Sequence, residues 1–122
     1  MIIVDTSIWI DHLHKGDRIM SQLLASEAVM LHPFVLGELA LGSLRDRRKV
    51  LAELETIPTA PMVAIEDVLE LIDQQGLAGS GIGLIDAHLV ASTLLDADDL
   101  LWTKDRRLAA VAERLGIDAA SA

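Results

Sequence analysis

The chain contains no cysteine and no tyrosine. Without thiols, disulfide staples and thiolate metal sites are excluded, and a reducing cytoplasm is the expected compartment. Aromatic residues are nearly absent, with one phenylalanine and two tryptophans in 122 residues. Trp9, Phe34 and Trp102 are therefore expected in core or dimer packing rather than in a platform that stacks bases. Positive charge is scarce as well: ten Lys and Arg face nineteen Asp and Glu, for a formal net charge of −9. That excludes a broad basic surface for nucleic acid but not a local one. Seven of the ten basic residues fall in two clusters, Arg45, Arg47, Arg48 and Lys49, and Lys104, Arg106 and Arg107. No apolar run approaches the roughly 20 residues that span a bilayer, so no membrane partner is expected. The opening MIIVDTSIWI is broken by Asp5 and has no basic leader, so it reads as a buried strand and not as a secretory signal.

What is present is apolar aliphatic bulk, 52% of the chain, enough for one compact domain over residues 1–122. Strand patterns fall at 2–4, 28–31, 62–65 and 100–103, with a short fifth strand from Ile117. Helical patterns lie between them, at about 8 onward, 19–26, 33–43, 46–55, 66–75, 84–95 and 106–115. Asp5, Thr6 or Ser7 should cap the first helix, Asp17 the second, and Pro33 suits the first turn of the third. The stretch GLAGSGIG at 76–83 is a loop. It is no phosphate cradle, since it lacks a GK[ST] ending and follows no strand. Alternating strands and helices predict an α/β fold: a central parallel sheet of four to five strands with helices on both faces.

Four acids stand out against this frame. Asp5 is the only charge in residues 1–10, Glu38 the only one in 31–44, and Asp86 the only one in 74–95. Asp105 follows the strand-like LLWT. Ligands of such folds bind at the carboxyl ends of the strands. Asp5, Asp105 and Glu38, one turn into the helix after the second strand, belong to that edge. Asp86 shares a helical face with Ile82, Val90 and Thr93, and Glu38 with Phe34 and Leu41, so both are expected to point inward. Asp96, Asp98 and Asp99 precede their strand and belong to the opposite edge. Carboxylates gathered at one edge repel each other unless a hard cation joins them, and Mg²⁺ or Mn²⁺ takes oxygen ligands. Hydrolysis of a phosphodiester by a metal-activated water suits these groups. No Ser–His relay supports Ser7 as a nucleophile, and none of the four histidines has metal-ligand spacing.

The stretches IVDTSIWI at 3–10, VLGEL around Glu38, LIDAHLVA around Asp86 and LWTKDRRL at 101–108 resemble the PIN-domain ribonucleases, most closely the VapC-type toxins of bacterial toxin–antitoxin pairs. The resemblance spans nearly the whole chain, in the family's order and spacing. It implies Mg²⁺- or Mn²⁺-dependent endonucleolytic cleavage of RNA, a homodimer, and inhibition by a small cognate VapB-type antitoxin. It makes Asp5, Glu38, Asp86 and Asp105 the acidic metal-binding set, with Thr103 and Thr6 or Ser7 as polar groups beside it. Lys104, Arg106 and Arg107 are candidates to position the RNA backbone. Many family members carry a further acid shortly after the position of Asp105. Here Arg106 and Arg107 follow and no acid precedes Glu113, which weakens the case for a second tightly held metal.

Each acid also has a purely structural role open to it. Asp5 and Asp105 could be helix caps, Glu38 an acid paired with an arginine, and Asp86 a first-turn acid favoured by the helix dipole. On that basis the alternative is a catalytically inactive PIN-like scaffold that binds RNA or protein. A receiver-like phosphoacceptor would need an aspartate at the end of the third strand, where this chain has Met62, Val63, Ala64, Ile65 and Glu66.

Overall fold

The structure, a computed structural model, describes residues 1–119, so the last three residues of the expected 1–122 span lie outside the described residues. Three parallel strands, β1 (Ile2–Val4), β2 (Val29–Met30) and β3 (Leu100–Trp102), run in the order β2-β1-β3. Seven helices separate and follow them: α1 (Thr6–Lys15), α2 (Arg18–Ala25), α3 (Pro33–Leu41), α4 (Arg47–Leu54), α5 (Ile65–Gln74), α6 (Leu84–Leu94) and α7 (Arg106–Leu115). Neighbours along a strand point to opposite faces, yet Ile3 and Val4 are both fully buried. The sheet is therefore covered on both sides, as the α/β pattern predicts. Ile8 and Trp9 of α1, Leu39 of α3, Leu89 and Val90 of α6 and Leu108 of α7 belong to the core cluster around it.

The sheet is narrower than the four to five strands expected. No strand forms at 62–65. The chain instead touches β2 three residues earlier, where Thr59 makes a single parallel bridge with Leu31. Leu31 N–H donates to Pro58 O at 2.8 Å and Ala60 N–H to Leu31 O at 3.0 Å. Pro58 lacks the amide that would donate to Val29 O and Pro33 the one that would donate to Ala60 O, so the ladder stops on both sides of Leu31. The expected fifth strand is likewise one bridge, Leu101 to Asp118, with Leu101 N–H donating to Ile117 O at 2.7 Å. Both flanks of the sheet thus end in single bridges, a short edge that offers little template for pairing with another chain.

Helix boundaries follow their local chemistry. Asp17 caps α2 by accepting from Met20 N–H at 2.8 Å. Gly116, at φ 73°, ends α7 in the left-handed conformation that glycine adopts without a steric cost. Pro33 opens α3 at a position that needs no amide donor. His32, just before it, is the cap: its Nδ1 accepts from Phe34 N–H at 3.0 Å. That bond places the ring proton of neutral His32 on Nε2. The His32, Phe34 and His88 rings cluster, with centroids 5.3 Å (His32–Phe34), 4.8 Å (Phe34–His88) and 6.5 Å (His32–His88) apart.

His32 is fully buried. Burial first, and the charge of His88 second, lower its pKa from 6.5 to about 4. The folded state then refuses a proton that the unfolded chain accepts. Stability is complete above the unfolded value near 6.5 and is lost as pH falls toward about 4. At about 1.4 kcal/mol per pH unit, the loss over that window is on the order of 3 kcal/mol. Urea denaturation between pH 7 and pH 4 should show it, and His32→Asn, which retains an acceptor for the helix, should flatten the slope. An unchanged slope in the variant would move the effect to other groups.

Candidate active site

Asp5 is the first residue past β1, and it remains stitched to β3 through its N–H, which donates to Trp102 O at 2.9 Å. The side chain is nearly buried and both carboxylate oxygens are engaged. Oδ1 accepts from Thr6 N–H at 2.7 Å, which makes Asp5 the cap of α1. Oδ2 accepts from the Thr103 hydroxyl at 2.7 Å. Thr103 Oγ1 in turn accepts from Asp105 N–H at 3.0 Å. One threonine at the end of β3 therefore ties two of the acids together. Asp105 caps α7, its Oδ1 accepting from Leu108 N–H at 2.9 Å. Asp86 sits half-buried in the first turn of α6, where its Oδ2 accepts from Gly83 N–H at 3.3 Å.

These three carboxylates feel one another. Burial, the largest effect, and then the negative charges of Asp5 and Asp105 push the Asp86 carboxyl above its ordinary range, against the opposing hydrogen bond from Gly83 N–H. No cation offsets them. Among the described residues, no Lys, Arg or His forms an ion pair with Asp5, Asp86 or Asp105. Lys104 turns instead to Asp11 and Asp17, its Nζ 3.6 Å and 3.9 Å from their Oδ2 atoms. Arg106 and Arg107 are exposed. The acids assigned to the opposite edge are indeed elsewhere, with Asp99 3.1 Å from the Met1 amino nitrogen.

Glu38 departs from its expected orientation. The buried side of α3 is Val35 and Leu39, one helical turn apart, rather than the stripe of Phe34, Glu38 and Leu41. Leu41 is 85% exposed, and Glu38 is exposed and makes no hydrogen bond or ion pair among the described residues. Nothing couples Glu38 to the other three acids. Thr6 serves them through its amide rather than its hydroxyl, and Ser7 is exposed. The Gly83 amide and the double use of the Thr103 hydroxyl were missed in the sequence, since neither a backbone donor nor a shared hydroxyl leaves a composition signal.

Among the described residues, no three Asp, Glu or His side chains close around a point as a complete metal cage. The donor chemistry nevertheless fits a hard dication. Asp86 carries uncompensated charge, Asp105 has one oxygen without a partner, and each Asp5 oxygen accepts a single bond and keeps a lone pair. Mg²⁺ characteristically takes one or two carboxylates and completes its shell with water and substrate phosphate, so a full protein cage is not required.

The PIN domain family model matches residues 2–114, a stretch that holds all four acids. The chain is also similar to Ribonuclease VapC32 of Mycobacterium tuberculosis, from strain CDC 1551 / Oshkosh and from strain ATCC 25618 / H37Rv. Each comparison gives 41% identity over 117 residues, covering 96% of this chain and 94% of the relative.

The raised pKa of Asp86 carries a sign. A carboxyl that holds its proton more tightly when folded stabilises the fold at low pH, and that contribution is lost as pH rises through the folded value. At neutral pH the charge is a net cost. In metal-free protein, Asp86→Asn should raise the melting temperature at pH 7 and bring no gain at pH 3. A lower melting temperature at pH 7 would show that the charge is already compensated.

Proposed function

This chain belongs to the PIN-domain family, and from that membership we propose a VapC-type endoribonuclease, the toxin of a toxin–antitoxin pair that hydrolyses RNA phosphodiester bonds. The carrying observation is 41% identity to a ribonuclease over 96% of the chain. The PIN-domain match covers residues 2–114, and the proposed partners are RNA and a VapB-type antitoxin.

The proposed metal-binding set is Asp5, Glu38, Asp86 and Asp105, taking Mg²⁺ or Mn²⁺. When bound, such an ion neutralises the acidic edge and activates water for attack on phosphorus. The chain's own residues do the positioning. Thr6 N–H and Thr103 Oγ1–H fix the Asp5 carboxylate from two sides. Leu108 N–H fixes Asp105, and Gly83 N–H restrains Asp86. Glu38 starts from solvent and joins as the outermost, least constrained member. Lys104, Arg106 and Arg107 lie in the same segment as Asp105 and supply positive charge for the RNA backbone. The Lys104 pairs are long and Lys104 itself is exposed, hence they are weak enough to exchange for phosphate.

No helix among the described residues is long and apolar enough to cross a membrane. We place the protein in the cytoplasm, as a homodimer. Apolar surface supports the dimer: Ile65 and Leu69 are exposed one turn apart on α5, and Leu94 and Leu95 are exposed at the end of α6. Light scattering should give the mass of two chains, and Leu69→Glu that of one. A wild-type mass of one chain would remove the dimer.

The test of the site is Asp5→Asn. Asparagine still offers an acceptor to Thr6 N–H, so the fold should survive. RNA cleavage should fall by roughly a hundredfold or more, since charge stabilisation by a metal is worth several kcal/mol. The thermal shift with Mg²⁺ or Mn²⁺ should disappear too. Undiminished cleavage by the purified variant would sink the assignment. Absence of both cleavage and metal shift in the wild type would favour the inactive scaffold.

A further inference from the structure

The three basic residues around Asp105 are held differently. Lys104 leans on Asp11 and Asp17, whereas Arg106 is exposed with no bonded partner among the described residues. Arg107 lies against another segment altogether. A Cβ built on Gly81 would stand 2.7 Å from Arg107 Cδ and 3.1 Å from both Nε and Nη1. The arginine therefore crosses the 76–83 loop over a bare Cα, and it can do so only because residue 81 has no side chain. The backbone there, at φ +86°, favours glycine for a second reason.

The two ends of this contact are informative. Arg107 is two residues past Asp105, in the first turn of α7. Gly81 is two residues before Gly83, whose N–H holds Asp86. One guanidinium is thus seated between the segments carrying two of the acids, yet it forms an ion pair with neither and no hydrogen bond among the described residues. Were it an internal counter-ion, it would pair with Asp86 or Asp105. A guanidinium held against Gly81 and paired with neither carboxylate is available to an external anion. An RNA strand nearing Asp5, Asp86 and Asp105 meets repulsion that such a cation offsets. A guanidinium also presents a planar fork that fits two phosphate oxygens.

We propose that Gly81 and Arg107 form a positioning pair for RNA, in which the missing side chain at 81 seats Arg107 to bind a backbone phosphate beside the acidic edge. This rests on the ribonuclease assignment and deepens it. Seating the arginine on the loop removes part of the rotamer entropy that a free surface side chain would lose when the phosphate arrives.

The experiment is a double-mutant cycle of Gly81→Ala, Arg107→Ala and the pair, with Arg107→Lys as a further variant. Binding of a fluorescent single-stranded RNA oligonucleotide is measured against salt concentration in the Asp5→Asn background, where cleavage does not interfere, and cleavage of total RNA is measured in the native background. Arg107→Ala should weaken binding roughly tenfold, the scale of one charge-assisted hydrogen-bonded contact. It should also lower the slope of log affinity against log salt by about 0.7, the signature of one single-strand phosphate. Arg107→Lys should restore the slope but only part of the affinity. Gly81→Ala should reproduce most of the Arg107→Ala loss, and the pair should be no worse than Arg107→Ala alone. Losses that add in the pair would reduce Gly81 to a strained-loop effect and overturn the pairing. An unchanged salt slope in Arg107→Ala would overturn the phosphate contact even if Gly81→Ala failed to fold. Wild-type protein that cleaves no RNA would indict the ribonuclease assignment instead, a separate failure.

Discussion

The acidic edge depends on how a three-residue strand ends. Parallel strands joined by helical crossovers bring their carboxyl ends to one side, so the residues after β1 and β3 must meet. Asp5 turns that proximity into a fixed geometry. Its N–H reaches Trp102 O, its carbonyl accepts from Trp9 N–H at 3.3 Å, and its two side-chain oxygens take Thr6 N–H and Thr103 Oγ1–H. One residue thereby closes β1, opens α1 and grips the end of β3. Asp105 is tied into the same arrangement through Thr103, so the loop after β3 cannot drift independently of Asp5.

Structural and chemical roles of these acids are not rivals. A carboxylate has about four lone-pair sites, and a helix cap occupies one of them. The cap, worth about 1 kcal/mol, fixes the direction of a side chain whose remaining lone pairs face outward needs. The three coupled acids form a graded series in this respect. Asp5 is bonded at both oxygens and nearly buried, Asp105 is bonded at one and exposed, and Asp86 is held by one long 3.3 Å bond. Asp86, with the weakest hydrogen bonding and a half-buried position, is where the uncompensated charge is felt most.

Much of this was legible in the sequence, because the signals were local. Asp17, Pro33, Asp105 and Gly116 sit where capping chemistry places them, and α7 spans the expected residues 106–115. The isolation of Asp5 and Asp86 in apolar sequence pointed to positions where charge is costly. The third strand failed because Met62 to Ile65 looks β-like in composition, while pairing is decided by which amides can donate, and Pro33 and Pro58 lack the amides that would carry the ladder past Leu31. The orientation of Glu38 failed because α3 is apolar almost all round, so its sequence carries no phase. Leu39 rather than Leu41 lies against the core, which turns Glu38 outward.

Two buried imidazoles, His32 and His88, form no ion pair with the acids among the described residues. Residues two apart on a helix point about 200° apart, so Asp86 and His88 face different neighbours. His88 packs against Phe34 and His32 in the interior, where His32 Nε2 and His88 Nδ1 have no hydrogen-bond partner among the described residues. His32, with its pKa near 4, is neutral at any physiological pH and adds no positive charge to the edge. Lys104 is turned toward Asp11 and Asp17 and Arg107 is laid on Gly81, so neither side chain pairs with the acids of the edge. Asp5, Asp86 and Asp105 thus keep negative charge that no ion pair among the described residues offsets.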